Sequence, residues 1–212
     1  MDAKYWKKLS VPLILEALFI VSTFLFPQQA LFTKLIFVIV VIVWLHDEFS
    51  FRRFLRQFRN VRGFILPVAA GCAGMLVCYF LREYLDGTVW MGKATGMIQI
   101  WYRGVPQTAL FYFMTIALVP LAEELFFRGA AITFKSGRGI AVLTAVIGAF
   151  LCALTTMLGT VGILQILLMA IPLVVTYLVT ENLYVPITIH YIYAICITVP
   201  EIIYEALRLA LR

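Results

Sequence analysis

The sequence predicts an all-α fold, a polytopic bundle of about seven membrane-spanning helices, and three observations lead there. Hydrophobic residues make up 63% of the chain and charged residues only 13%, against about a quarter charged in soluble domains. Mean hydropathy is +0.99, so too few polar groups exist to cover a globular surface in water. The apolar residues also collect into long unbroken runs rather than alternating with polar ones. Alternation would mark barrel strands; runs apolar on all sides mark helices, whose backbone groups are satisfied internally in lipid.

Seven runs approach the roughly 20 residues needed to cross the hydrocarbon: Val11–Phe26, Leu31–Leu45, Phe64–Leu81, Thr108–Leu121, Ile140–Leu158, Gly162–Val179 and Val185–Val199. Several need their flanks to complete a span. Residues 1–212 read as one membrane domain. Lys4, Lys7 and Lys8 precede the first run, but no small-residue cleavage site follows Phe26, so that run reads as a retained anchor.

Cation placement predicts orientation. Arg52, Arg53, Arg56, Arg59 and Arg62 crowd the second connection, and Lys135 and Arg138 lie in the fourth. With the amino-terminal lysines they define one cytoplasmic side of a cell-membrane protein, the amino terminus inside. The opposite connections are expected to carry Lys34 in one, and Lys93 and Arg103 offset by Glu83 and Asp86 in another. Phe49, Phe51, Phe54, Leu55 and Phe58 interleave with the arginines, which suits an amphipathic helix on anionic lipid. Nucleic acid is not expected as a partner, because the basic stretch sits between two spans. The connection 82–107 reads as the longest polar one, with Trp90, Trp101 and Tyr102 as interfacial anchors. Ala70 and Gly74 offer a close-packing face.

Cys72, Cys78, Cys152 and Cys196 fall inside apolar runs without paired metal spacing and read as small hydrophobes. Pro172 and Pro200 predict kinks. Glu16, two turns from Lys8, either joins an interior acidic site or snorkels to the interface, and snorkelling is the favoured placement. Glu201, Glu205, Arg208 and Arg212 read as a solvated helix end.

The informative stretch is Ala122-Glu123-Glu124-Leu125-Phe126-Phe127-Arg128-Gly129. Two adjacent carboxylates at membrane depth are unfavourable unless paired or functional. Glu124 and Arg128 stand four apart with the acid first, the favourable order for an ion pair. Glu123 lies on another face and is expected to be left without a partner, able to exchange protons near neutral pH. The competing reading is a helix end in cytoplasm with all three side chains solvated. His190 in the last run follows Pro186 and Ile187, and it falls near the same membrane side as Glu123. The other histidine, His46, reads as solvated at a span end.

Together these residues resemble the CAAX-prenyl-protease and bacteriocin-processing family (CPBP, or Abi), over a core of about residues 112–198. Glu123-Glu124-x-x-x-Arg128-Gly129 matches its first motif and Pro186-Ile187-x-x-His190 its last. The resemblance implies an intramembrane protease fold in which Glu123, with a histidine of the second motif, activates water, and the last histidine with an asparagine stabilises the oxyanion. This chain departs twice: Leu154 stands four residues after Phe150, where that histidine is expected, and Ala194 stands where the asparagine is expected. Thr155 and Thr156 flank the first gap and are expected to bond carbonyls one turn back. A catalytic zinc needs three protein ligands, available from Glu123, Glu124 and His190 only if the Glu124–Arg128 pair breaks, so neither metal nor other cofactor is expected. The expectation is therefore a non-proteolytic CPBP-type module that binds or regulates a membrane or cell-envelope protein. The alternatives are an active glutamate-dependent endopeptidase, with Glu123 as base and His190 as electrophile, and a small proton-coupled transporter relaying through Glu16, Glu123 and His190.

Overall fold

A computed structural model of the protein describes residues 3–90, 104–135, 137–156 and 159–210. Every regular element among them is helical. Seven segments are long and apolar enough to cross a membrane, as the hydropathy predicts: Tyr5–Leu25, Pro27–Trp44, Val61–Trp90, Gly104–Ala130, Arg138–Thr155, Thr160–Thr180 and Tyr184–Tyr204.

Helix α1 (Ala3–Leu25) is followed by a 3₁₀ turn, Pro27–Gln29, and α2 (Ala30–Trp44) packs back along it. On α1, Ile14, Leu18, Val21 and Leu25 recur at helical spacing and are exposed, as a lipid-facing stripe must be. The opposite stripe, Leu9, Glu16, Phe19 and Thr23, is buried. Glu16 thus points into the bundle and does not snorkel, because its helical phase is that of the core stripe. Lys34, expected in an outer connection, is likewise buried inside α2.

The short helix α3 (Phe51–Gln57) leaves Arg52, Arg53 and Arg56 exposed. Phe54 anchors it through ring contacts with Phe64 and Tyr184. One end of the bundle gathers the connections that the cation pattern groups together. Lys8 Nζ pairs with Glu48 at 2.9 Å and donates to the Gly129 carbonyl at 2.6 Å, and the Tyr5 hydroxyl donates to the Ala131 carbonyl at 2.7 Å.

Helix α4 (Leu66–Leu85) continues through a π turn, Asp86–Trp90, so the first part of the expected polar connection is helix. Trp101 and Tyr102 lie outside the described residues. The close-packing face of α4 is Gly71 and Gly74 rather than Ala70 and Gly74. Ala70 is exposed, whereas a Cβ on Gly71 would run into Ile189 and one on Gly74 would come within 3.3 Å of Pro172.

The fourth span is one rod of changing pitch: α5 (Gly104–Phe113), a π turn Met114–Leu118, α6 (Val119–Glu123) and a longer π segment, Glu124–Ala130. Pro120 accounts for the first widening. It has no N–H for the carbonyl four residues back, and its ring crowds that carbonyl. The Val119 N–H accordingly reaches Met114, five residues back.

Helices α7 (Arg138–Thr156), α8 (Thr160–Thr180) and α9 (Tyr184–Ala210) complete the bundle, with α8 against both α4 and α7. Helix α8 stops at Glu181, in a left-handed conformation (φ 50°) with its N–H on the Tyr177 carbonyl. Asn182 then starts α9. Its Oδ1 accepts from the Tyr184 N–H at 3.1 Å, and its Nδ2 donates to Gln57 Oε1 at 3.0 Å.

Candidate active site

The first-motif residues do not sit at a solvated helix end. The fourth span runs seven residues past Glu123, to Ala130, which places Glu123 roughly 10 Å inside that end at 1.5 Å per residue. Glu124 is 0% and Arg128 1% exposed. The reason is lateral packing: α1, α2 and α7 all lie against the Glu124–Ala130 segment. Gly148 on α7 makes that approach possible, since a Cβ there would lie 2.8 Å from the Phe127 carbonyl oxygen. His190, six residues into α9 from Tyr184, reaches a similar depth.

The charges pair differently from the expected scheme. Arg128 Nη1 lies 3.2 Å from Glu124 Oε1, the anticipated partner. The same oxygen also faces His190 Nδ1 at 2.8 Å. A carboxylate beside an arginine is an acceptor, so Nδ1 carries the proton it donates, leaving Nε2 as the ring's other hydrogen-bonding atom. Glu124 is therefore a bridge between the first and last motifs. Glu123 is not left without a partner: Lys34 Nζ of α2 donates to its Oε1 at 3.3 Å, with both side chains about nine-tenths buried. Phe19 and Phe37 flank that ammonium at 5.3 and 5.5 Å from their ring centroids, contacts that favour a desolvated cation.

Glu123, Arg128 and His190 line one cavity of about 210 Å³, which extends past Met75, Cys152 and Tyr193 to Arg82. From α7 it is Cys152, not Leu154, that faces this cavity. Leu154 is half-buried and does not line it, while the inward stripe of α7 is Ala141, Ala145, Gly148, Cys152 and Thr155. Residues two apart on a helix point about 200° from one another, so the side chain opposite Glu123 is a thiol-bearing one. Ala194 is buried one turn beyond His190. Thr155 donates to the Cys152 carbonyl at 2.8 Å, the back-bonding expected of it; the Thr156 side chain lies outside the described residues. His46 is exposed, 3.1 Å from Asp47. Among the described residues no three His, Cys, Asp or Glu side chains cluster as a metal site.

Several polar atoms in this core are buried with no hydrogen-bond partner among the described residues: both oxygens of Glu16, Oε2 of Glu124, and Nε and Nη1 of Arg128. The Arg128–Glu124 contact is thus an ion pair without hydrogen-bond alignment. Across the bundle, the Tyr191 hydroxyl donates to the Ala117 carbonyl at 2.6 Å, inside the Met114–Leu118 π turn. This bond fixes α9 against the fourth span one residue from His190. Tyr191→Phe is expected to lower stability by about 1 kcal/mol, read as a small drop in detergent thermal unfolding with helix content unchanged.

Lys34 and Cys152 are the site residues that the motifs miss. For Lys34 the available signal was a lysine inside one apolar run and a glutamate pair just past the end of another, since charges at membrane depth pair with one another.

Residues 105–196, a little under half of the chain, match the family described as type II CAAX prenyl endopeptidase Rce1-like. The match takes in Glu123, Glu124, Arg128, Cys152 and His190, and leaves Glu16 and Lys34 outside. No match was found among curated proteins or among solved structures. From residue 105 to residue 196, the stretch that carries Glu123, Glu124, Arg128 and His190, this chain is similar to the Rce1-like family of type II CAAX prenyl endopeptidases.

Proposed function

We propose that this protein keeps the bundle of a CPBP-type intramembrane protease without its hydrolytic chemistry, and uses it to hold a membrane or cell-envelope protein. The observation that carries the loss of hydrolysis is the Lys34–Glu123 pair at 3.3 Å. A general base has to take a proton from water, and an ammonium in contact with the carboxylate competes with water for it. The partners that the family chemistry needs are also replaced. Leu154 stands at the motif position of the imidazole that would serve Glu123, the α7 side chain lining the cavity is Cys152, and Ala194 has no donor for an oxyanion. Absence of a base partner commonly lowers a rate by about 10²–10⁴, and loss of one oxyanion donor by about 10²–10³.

Support for a protein partner comes from the lipid-facing side of α7 and α8. There an apolar groove of about 430 Å³ runs along Val146, Ala149, Leu164, Ile171 and Val175. Small residues on such a face let a foreign helix approach closely.

A second reading, active hydrolysis, is favoured by one observation: Glu123 and His190 share a cavity. The experiment that separates the two is cleavage of a library of membrane-anchored peptides by the purified protein, with Glu123→Gln in parallel. Product at or below the Glu123→Gln level is expected. Product that disappears on Glu123→Gln would establish hydrolysis. For the partner, crosslinking in mild detergent should yield a defined complex, and the absence of any would count against that half of the proposal.

A further inference from the structure

Helix α3 is tied at both ends to the start of α9. The Ser50 N–H donates to the Tyr184 hydroxyl at 3.1 Å, and Gln57 Oε1 accepts from Asn182 at 3.0 Å. Between these bonds Phe54 packs on Phe64 and Tyr184. At about 100° per residue, Arg52 and Arg56, two positions either side of Phe54, point roughly away from the bundle. Phe51 and Leu55 form the stripe beside them and are 65% and 53% exposed. These four side chains and Arg59 line one open groove of about 610 Å³. It lies in the connection between two spans, after Trp44 and before Val61, where the chain meets the membrane surface.

Arg52, Arg53, Arg56, Arg59 and Arg62 are all exposed, and among the described residues none of them has an ion-pair partner. No Asp or Glu occurs from residue 49 to residue 82. Glu48, just before that stretch, is paired with Lys8 at 2.9 Å. A guanidinium stays charged and presents a planar fork of donors that matches phosphate oxygens. Aromatic and aliphatic side chains interleaved with such cations suit the boundary between headgroups and acyl chains.

We infer that this groove is a docking site for the phosphate headgroup of an anionic phospholipid, in the leaflet that meets this end of the bundle. Arg52, Arg56 and Arg59 hold phosphate oxygens, while Phe51 and Leu55 enter the acyl boundary beside the same lipid. The bonds to Tyr184 and Asn182 fix the face that α3 presents, so the site is preformed. It is independent of whether the central cavity hydrolyses peptides.

A fluorescent reporter inside the groove tests this. The full-length chain carrying Phe51→Trp is placed in phosphatidylcholine nanodiscs with a minor fraction of lipid brominated near the headgroup, either phosphatidylglycerol or phosphatidylcholine. Emission of the unsubstituted chain is subtracted to remove its own tryptophans. Each arginine close to an anionic surface is worth about a fivefold gain in association, so brominated phosphatidylglycerol should occupy the groove at least about fivefold more than its brominated phosphatidylcholine counterpart. Adding Arg52→Gln/Arg56→Gln/Arg59→Gln should make the two lipids quench equally. The control Lys7→Gln/Arg138→Gln, two exposed cations outside the groove, should leave the preference in place. Equal quenching by both lipids before any arginine is changed, or no quenching by either, would overturn the proposal. So would an equal loss in the control, which would mark a diffuse positive field, and so would release of the preference by inorganic phosphate, which would mark a soluble anion.

Discussion

Replacing Arg128 by Met is expected to destabilise the bundle by about 3–5 kcal/mol, the range for breaking one side of a buried ion pair. Arg128 is 1% exposed and Glu124 0%, so neither water nor lipid headgroups can take over when the guanidinium is removed. Glu124 would keep only His190 as a polar partner. The measurement is thermal unfolding in a mild detergent. Arg128→Met/Glu124→Gln should recover much of the loss, because replacing both members of a buried pair with neutral groups is far less costly than stranding one. Methionine is chosen because it retains most of the arginine stem, so the loss reports charge rather than volume. A loss below about 1 kcal/mol would mean that the pair is more solvated than its burial implies.

A second large effect is expected at Gly148. The would-be Cβ lies 2.8 Å from the Phe127 carbonyl oxygen, and a backbone carbonyl in a helical segment cannot rotate aside as a side chain does. Gly148→Ala should therefore cost about 1 kcal/mol despite alanine's better helix propensity. Gly148→Leu should cost about 3 kcal/mol, at the upper end of overpacking effects. The graded series separates steric contact from a general weakness of α7, which a bulkier helix former would not worsen. Pushing α7 outward also uncovers Phe127, now 1% exposed, and loosens the wall that carries Cys152. Faster alkylation of Cys152 by a membrane-permeant thiol reagent in Gly148→Leu would report that movement directly.

The architecture was legible because hydropathy is a property of composition along the chain, and seven apolar runs became seven spans. The amphipathic stretch around Phe54 and the grouping of basic connections at one end were legible for the same reason: they depend on which residues occur, not on how helices are phased. What was not legible depends on phase. An apolar helix shows no clear polar face from which to read its orientation, so Leu154 was placed at the site although Cys152 faces it, and Ala70 was given a packing role that belongs to Gly71. Lys34 and Glu16 were assigned to the periphery because a single charge in a span reads as a span edge. Their burial follows from the phase of α1 and α2 against the core and, for Lys34, from its contact with Glu123, a tertiary fact. The ends of the fourth span were misjudged likewise, because the buried Glu123, Glu124 and Arg128 look like the start of a polar connection. The pairing scheme changed accordingly: Glu124 bridges Arg128 and His190, and Glu123 answers to a lysine far outside the motif.

That lysine pairs with Glu123 inside the bundle, and the coupling of the two is measurable. A double-mutant cycle on thermal stability, with Lys34→Met, Glu123→Gln and both together, isolates the pair. Each single change should cost about 3 kcal/mol, and the double should cost less than their sum by roughly 2–3 kcal/mol. Strict additivity would mean that Lys34 does not hold Glu123, and the carboxylate would again be available as a base.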